Sequence, residues 1–406
     1  MRAPTAGQVS ISHHDPNDFH IRSNEDVWAI VDDLELSSVR LGKTAFKHKQ
    51  TEVGFNHVPE GLLQDKELRT IYRPVDHTIR DWQHTIAQDG VANTHIACLL
   101  HALHNLCGID ISRVSEFATM CHYPATHGKL DKKAFGSNRL HANTITSFSS
   151  PILTMVSVLH LFVEKFVADI VPEHFAAFTL LHHIVGILRM GPEDAMRHTG
   201  TLTQLISRHL ESVVRLYGDH VKPKAHHLFH VVDGMLWIGK LLSCFVTERK
   251  HREIKRAALH VFRHIEHTVL TDVVNKSFEQ ILEGHELYKP CFLVNPRDAH
   301  VPGIALRKAR SAVLRIGETW AGDVVITNDG IVGKVICMWT QAGDDTIYSE
   351  IDVYRCVPND ARFRCTDGAQ RSFIDSATLS STLIWYEESP GIICISLPPA
   401  LLFDRV

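Results

Sequence analysis

Asp323–Trp339 reads DVVITNDGIVGKVICMW. Two β-branched runs flank Asn-Asp-Gly, whose glycine takes up positive φ without steric cost, so the stretch predicts a hairpin. Short runs of the same kind follow in TIYSEIDVYRCV, TLIWYEES and GIICISL. Several such strands predict a small β-barrel, closed or partly open, over residues 312–406, with its boundary in 290–312.

The chain ahead of that boundary has the opposite character. Apolar residues recur at helical spacing over Ile111–Tyr123, Pro151–Ile170, Glu173–Met190, Pro192–Tyr217, His226–Ile238, Phe245–Ile265 and Glu266–Leu287. The breaks fall at MGPED, YGDHVKPK and WIGK, all with Gly or Pro. Further upstream, SNEDVWAIVDDLEL has a capping residue, first-turn acids and Val27, Ile30, Val31 and Leu34 on one stripe. A second short helix is expected over Leu41–Lys49. Thr78–His84 alternates enough to predict a short strand, broken at Asp89–Gly90. Ala92–Leu106 predicts a helix stopped by Gly108. Residues 1–24 are polar and predict a flexible lead-in. The fold class is therefore α+β, mostly α.

The 406 residues, 44% hydrophobic and 22% charged, are those of a globular protein with a substantial core. A net charge of −4 excludes a global polyanion-binding field, so any nucleic-acid surface is a local patch. Nine cysteines are scattered without CxxC, which fits a reducing compartment. The longest apolar runs carry Glu164, Lys165, Asp169 or the His182–His183 pair, so they predict buried helices and no membrane span. Many of the 29 histidines sit beside apolar residues, as satisfied helix histidines do.

One local patch stands out. Thr247–Arg256 reads TERKHREIKR. On a helix, Ile254, Ala258, Val261 and Ile265 form a stripe, and Glu248 sits at its edge with His251, Arg252 and Lys255 on its own side. Arg249 and Arg256 share another face. A soluble helix surface accounts for this interleaving. So does a carboxylate that binds a divalent metal, with the bases holding the phosphates brought to it. A second oxygen ligand could come from Asp81 in RDWQH, at the end of the expected strand; Asp81 could equally cap a turn or pair with Arg80. VKPKAHHLFHVVDG adds Lys222 and Lys224 for phosphate, and His226 and His230 one turn apart. A zinc-dependent hydrolase built on such histidines is a minor alternative, since no third ligand is apparent.

The order of VWAIVDDL, GFNHVPEGLL, RPVDHTIRDWQHTIAQDGV, KPKAHHLFH and TERKHREIKR resembles transposase-derived proteins of the CACTA type, members of the DDE superfamily. The similarity covers most of residues 20–290. It implies an RNase H-like core, of which residues 25–110 would be a remnant, and a large all-helical insertion with the last core helix over 111–289. It implies DNA as partner, a possible homo-oligomer, a nuclear address and Mg²⁺ or Mn²⁺ as cofactor. By motif match Asp81 takes the place of the second metal-binding acid and His84 that of the histidine after it. Glu248 takes the place of the third acid, with His251 beside it. Lys222, Lys224, Arg249, Lys250, Arg252, Lys255 and Arg256 would grip the DNA backbone. The two carboxylates should then lie about 4–8 Å apart, because paired ions sit roughly 3.5–4 Å from each other.

The family's first acid lies in a strand upstream of a CxxC-like segment. Neither has a counterpart here, and Asp32 and Asp33 fall in an expected helix. The expectation is an N-terminally truncated relic, ancestrally a polynucleotidyl transferase but inactive as it stands. The alternative is a non-catalytic module that binds DNA or protein.

Overall fold

The computed structural model describes residues 23–220, 223–243, 291–301, 304–341, 343–356 and 364–396, with isolated positions between 267 and 275. Helices come first: α1 (Asn24–Arg40), α2 (Lys43–Val53), α3 (Pro74–His77), α4 (Trp82–Ile86), α5 (Val91–Cys107), α6 (Ile111–Met120), α7 (Ser149–Phe166), α8 (Pro172–Leu188), α9 (Pro192–Met196), α10 (Thr199–Tyr217) and α11 (His227–Ile238). Strands follow: β1 (Phe292–Val294), β2 (Arg297–Val301), β3 (Ile304–Ala309), β4 (Ser311–Leu314), β5 (Gly317–Trp320), β6 (Val324–Thr327), β7 (Val332–Gln341), β8 (Tyr348–Cys356), β9 (Arg364–Asp375), β10 (Leu379–Leu383), β11 (Trp385–Ser389) and β12 (Ile392–Ile395). The molecule is α+β, with antiparallel sheets after a long helical region.

α1 begins with a capping box. Ser23 Oγ accepts from Asp26 N, and the Asp26 carboxylate accepts from Ser23 N. Val27, Val31 and Leu34 form its buried stripe. Asp32 and Asp33 are tied down on its other side by Arg69 and Lys49, each at 2.6 Å. α5 is apolar on nearly every face, and α7, α8 and α10 pack around it; Ile96, Leu99, Phe162 and Phe178 are fully enclosed among them. Gly108, at φ 63, ends α5 as expected.

Two expectations fail locally. No strand forms over Thr78–His84. Pro74 opens α3, Asp81 caps α4, and Thr78–Arg80 link them with no ladder partner among the described residues. A side chain that can accept from the N–H three residues on favours a helix start over an unsupported three-residue ladder. The single helix expected over Pro192–Tyr217 is two, α9 and α10, separated at Arg197–His198. The last two expected helices, Phe245–Ile265 and Glu266–Leu287, lie outside the continuously described residues.

The hairpin of the opening stretch is β6–β7. Thr327 N donates to Ile331 O at 2.9 Å, and Gly330 sits at φ 80. β1, β4 and β5 form one sheet; the larger sheet runs β10-β6-β7-β8-β9-β12-β11, with β3 added to β7 and β2 to β3. No ladder joins β10 to β11 among the described residues, so the closed form of the small β-barrel is not what forms. Yet these two edge strands are consecutive in the chain, with Ile384 alone between them. Six gaps of about 4.8 Å would hold the edges of a flat sheet about 29 Å apart, whereas one residue spans about 3.5 Å. The sheet must curl until its edges meet at Ile384, and the bent chain replaces the missing ladder. Val324, Ile326, Leu383, Trp385, Ile393 and Ile395, drawn from both edges, pack together.

The curled sheet is seated on the helices. Ile384, Tyr386 and Cys394 belong to the helical core. Tyr386 meets Phe117 edge-on at 5.1 Å, and Trp385 stacks on His122 at 3.9 Å. Among the described residues no helix is long and apolar enough to cross a membrane.

Candidate nucleic-acid and metal site

RDWQH and the turn after it form a compact corner. Asp81 is the N-cap of α4: its Oδ2 accepts from His84 N at 2.8 Å, and His84 Nδ1 lies 2.9 Å from the same oxygen. The Asp81 side chain is 19% exposed and that of His84 45%, so the carboxylate is held in place with one side toward solvent. Trp82, Gln83, Thr85 and Ile86 face inward. The chain then reverses through Asp89, at φ 50, and Gly90. A Cβ on Gly90 would sit 2.3 Å from Thr85 O, so only glycine lets the turn close this tightly. Asn93 locks it, accepting from Gly90 N at 3.1 Å and donating to Ile145 O at 2.8 Å.

Residues 223–230, the described part of KPKAHHLFH, pack against that corner. α11 lies on α4, and Gly234 approaches Ile79 so closely that a Cβ would be 3.1 Å from its methyl. Lys224 Nζ donates to Gln88 O at 2.7 Å. His226 and His230 share a face, as their spacing predicts, with Nε2 atoms 2.9 Å apart; His230 Nδ1 is 3.3 Å from Asp233 Oδ2. Burial, and then the neighbouring His230 and His227, push the His226 pKa down to about 4. Burial and then the Arg80 charge do the same to His227. Both rings stay neutral near pH 7. Arg80 is therefore part of the site, although the sequence singled it out only as a partner for Asp81.

Asp81, His84 and Lys224 are thus brought to one corner. Glu248, His251, Lys222, Arg249, Lys250, Arg252, Lys255 and Arg256 lie outside the described residues. The described chain leads toward them: Ser243 lines a cavity of about 300 Å³ together with Trp82 and Gln83, the neighbours of Asp81. Leu241 N donates to Pro192 O at 3.3 Å on the way.

Comparison with protein-family models, with curated proteins and with solved structures finds no match to this chain.

Proposed function

We propose that the chain is a transposase-derived DNA-binding protein of the CACTA type, ancestrally a Mg²⁺-dependent DNA strand-cleavage and transfer enzyme. On this reading, residues 25–110 are the remnant of an RNase H-like core, and α6–α11 belong to its helical insertion. One observation carries it. Two motifs of the resemblance, RPVDHTIRDWQHTIAQDGV and the described part of KPKAHHLFH, meet through Lys224 and Gln88 although those residues are 136 positions apart. Motifs inherited for one site have reason to be neighbours; unrelated charged runs have none.

The Asp81 carboxylate suits a hard divalent cation in chemistry and in being fixed. Two contacts from His84 hold its Oδ2, and carboxylate oxygens are the ligands that hard divalent cations take. Glu248 would be the second ligand. From Ser243 to Glu248 the chain can span at most about 18 Å, which keeps it within reach of this corner. A bound ion would activate water or a 3′-hydroxyl for in-line attack on a phosphodiester. Lys222, Lys224 and the Arg249–Arg256 bases would hold the backbone, and His84 and His251 would orient ligands. A nuclear address and self-association come with the reading.

Double-stranded DNA should be retained at low salt and released steeply as salt rises, with a shallower slope once the Arg249–Arg256 bases are replaced. No retention at low salt would sink the proposal. A nicking assay with Mg²⁺ or Mn²⁺ decides the enzymatic part. Equal signal from wild type, Asp81→Ala and Glu248→Ala leaves binding without catalysis, the second reading, which the capping role of Asp81 favours.

A further inference from the structure

A cavity of about 560 Å³ opens between the end of α8 and the curled sheet. Arg189, the residue that ends α8, lines it. A guanidinium carries five N–H donors, yet this one has a single hydrogen bond among the described residues, a long one of 3.4 Å to Thr126 O. No described carboxylate pairs with it. Asp194, on the same wall, is engaged by Arg315 at 2.5 Å and by Arg197 at 3.4 Å. Counting Glu193, the cavity wall holds three arginines against two acids. Burial alone draws the Arg189 pKa down to about 10, with no acid acting to raise it again. Arg189 is half-buried, and a partly desolvated cation without a counter-ion is disfavoured.

A polar pair shares the wall. His182 lines the cavity and is 5% exposed, and its Nε2 is 2.8 Å from Ser396 Oγ, which lines it too. Burial holds the ring neutral, so this pair adds polarity to the wall without adding charge. Val185, Leu383 and Ile384 supply apolar wall. The volume falls within the usual range for small-molecule sites, about 300–1,000 Å³, and is far larger than a bare oxyanion needs.

We propose that this cavity binds a small organic anion whose phosphate or carboxylate head sits on the Arg189 guanidinium and whose body fills the space toward the sheet. Arginine's planar fork matches either head. Arg189 also lines the smaller cavity beside Trp82 and Gln83, so the site adjoins the Asp81 corner, but the anion binding proposed for it does not rest on DNA binding.

Phenyl phosphate, benzoate and neutral benzamide, each titrated into the full chain by calorimetry, test it. At least one anion should bind in the millimolar range or tighter and benzamide should not; the anion that binds identifies the head group. Arg189→Met should weaken that binding at least tenfold. Absence of heat from both anions up to about 10 mM, or equal binding by Arg189→Met, overturns the site. Should Arg189→Met not fold, Arg189→Lys keeps the charge and loses the fork: at least threefold weaker binding is expected, and unchanged binding overturns the proposal.

Discussion

Lys224 Nζ donates to the main-chain carbonyl of Gln88 at 2.7 Å, clamping the turn ahead of α11 onto the loop that follows α4. The contact is a charge-assisted bond to a carbonyl that has left its helix, and it faces solvent. Lys224→Met should cost about 1 kcal/mol, less than a buried charged bond. Hydrogen exchange should quicken at Gln88–Val91 while the centre of α5 stays protected. Exchange that is unchanged at 88–91 would mean the clamp is ornamental.

Gly90 is the narrowest point of the same loop. The first atom of any side chain would overlap Thr85 O and Ile86 O, at 2.3 and 2.6 Å. Both are backbone atoms and cannot swing aside. Gly90→Ala should therefore destabilise by about 3 kcal/mol or more, at the upper end of overpacking costs. Gly42→Ala is the control, because nothing lies within 4 Å of its Cβ position. Similar urea midpoints for the two variants would contradict the geometry.

The helices were legible because local chemistry and tertiary need agree in them. Ser23 and Asp26 announce the start of α1, Gly108 the end of α5, and apolar spacing the inner faces of α7, α8 and α10. Asn328-Asp329-Gly330 announced its hairpin for the same reason. Thr78–His84 misled because its alternation spans few residues, too few to outweigh an Asp able to cap. A small β-barrel, and so a curled sheet, was expected from the strand-rich tail, but the way the sheet curls was not legible. It follows from β10 and β11 being one residue apart at opposite edges, a pairing fact that periodicity does not encode. Of the site, Asp81, His84 and Lys224 were named from motifs and are neighbours in the fold. Arg189 was not named: a lone arginine at the end of an apolar helix carries no signal until the sheet folds over it.

Asp81 has a capping role that is seen and a metal role that is proposed, and two substitutions separate them. Asn is as good an N-cap as Asp, whereas Ala loses about 1 kcal/mol. Asp81→Asn should unfold at nearly the wild-type temperature but lose any stabilisation by millimolar Mg²⁺ or Mn²⁺. Asp81→Ala should lose both. If wild type and Asp81→Asn gain equally from the ions, Asp81 is a cap and nothing more.

The buried histidines make stability depend on pH in a definite direction. His209 is fully buried, with Nε2 3.0 Å from His95 Nδ1, and His174 and Tyr217 complete the cluster around His95. Burial drags the His209 pKa to about 3, and that of His160 to about 3 in the stack with His182. In the unfolded chain each titrates near 6.5. Below about pH 6.5 the unfolded state therefore binds protons that the folded state refuses, so stability present at neutral pH is lost as pH falls toward 3. At pH 5 each of the two histidines should cost about 2 kcal/mol relative to pH 7.5. Urea midpoints should fall steadily over that window, well before most carboxylates titrate. His209→Leu should remove one proton from the difference, flattening the slope by about 1.4 kcal/mol per pH unit near pH 5. A wild-type midpoint that is level from pH 7.5 to 5, or a slope untouched by His209→Leu, would show that these rings accept protons in the folded state.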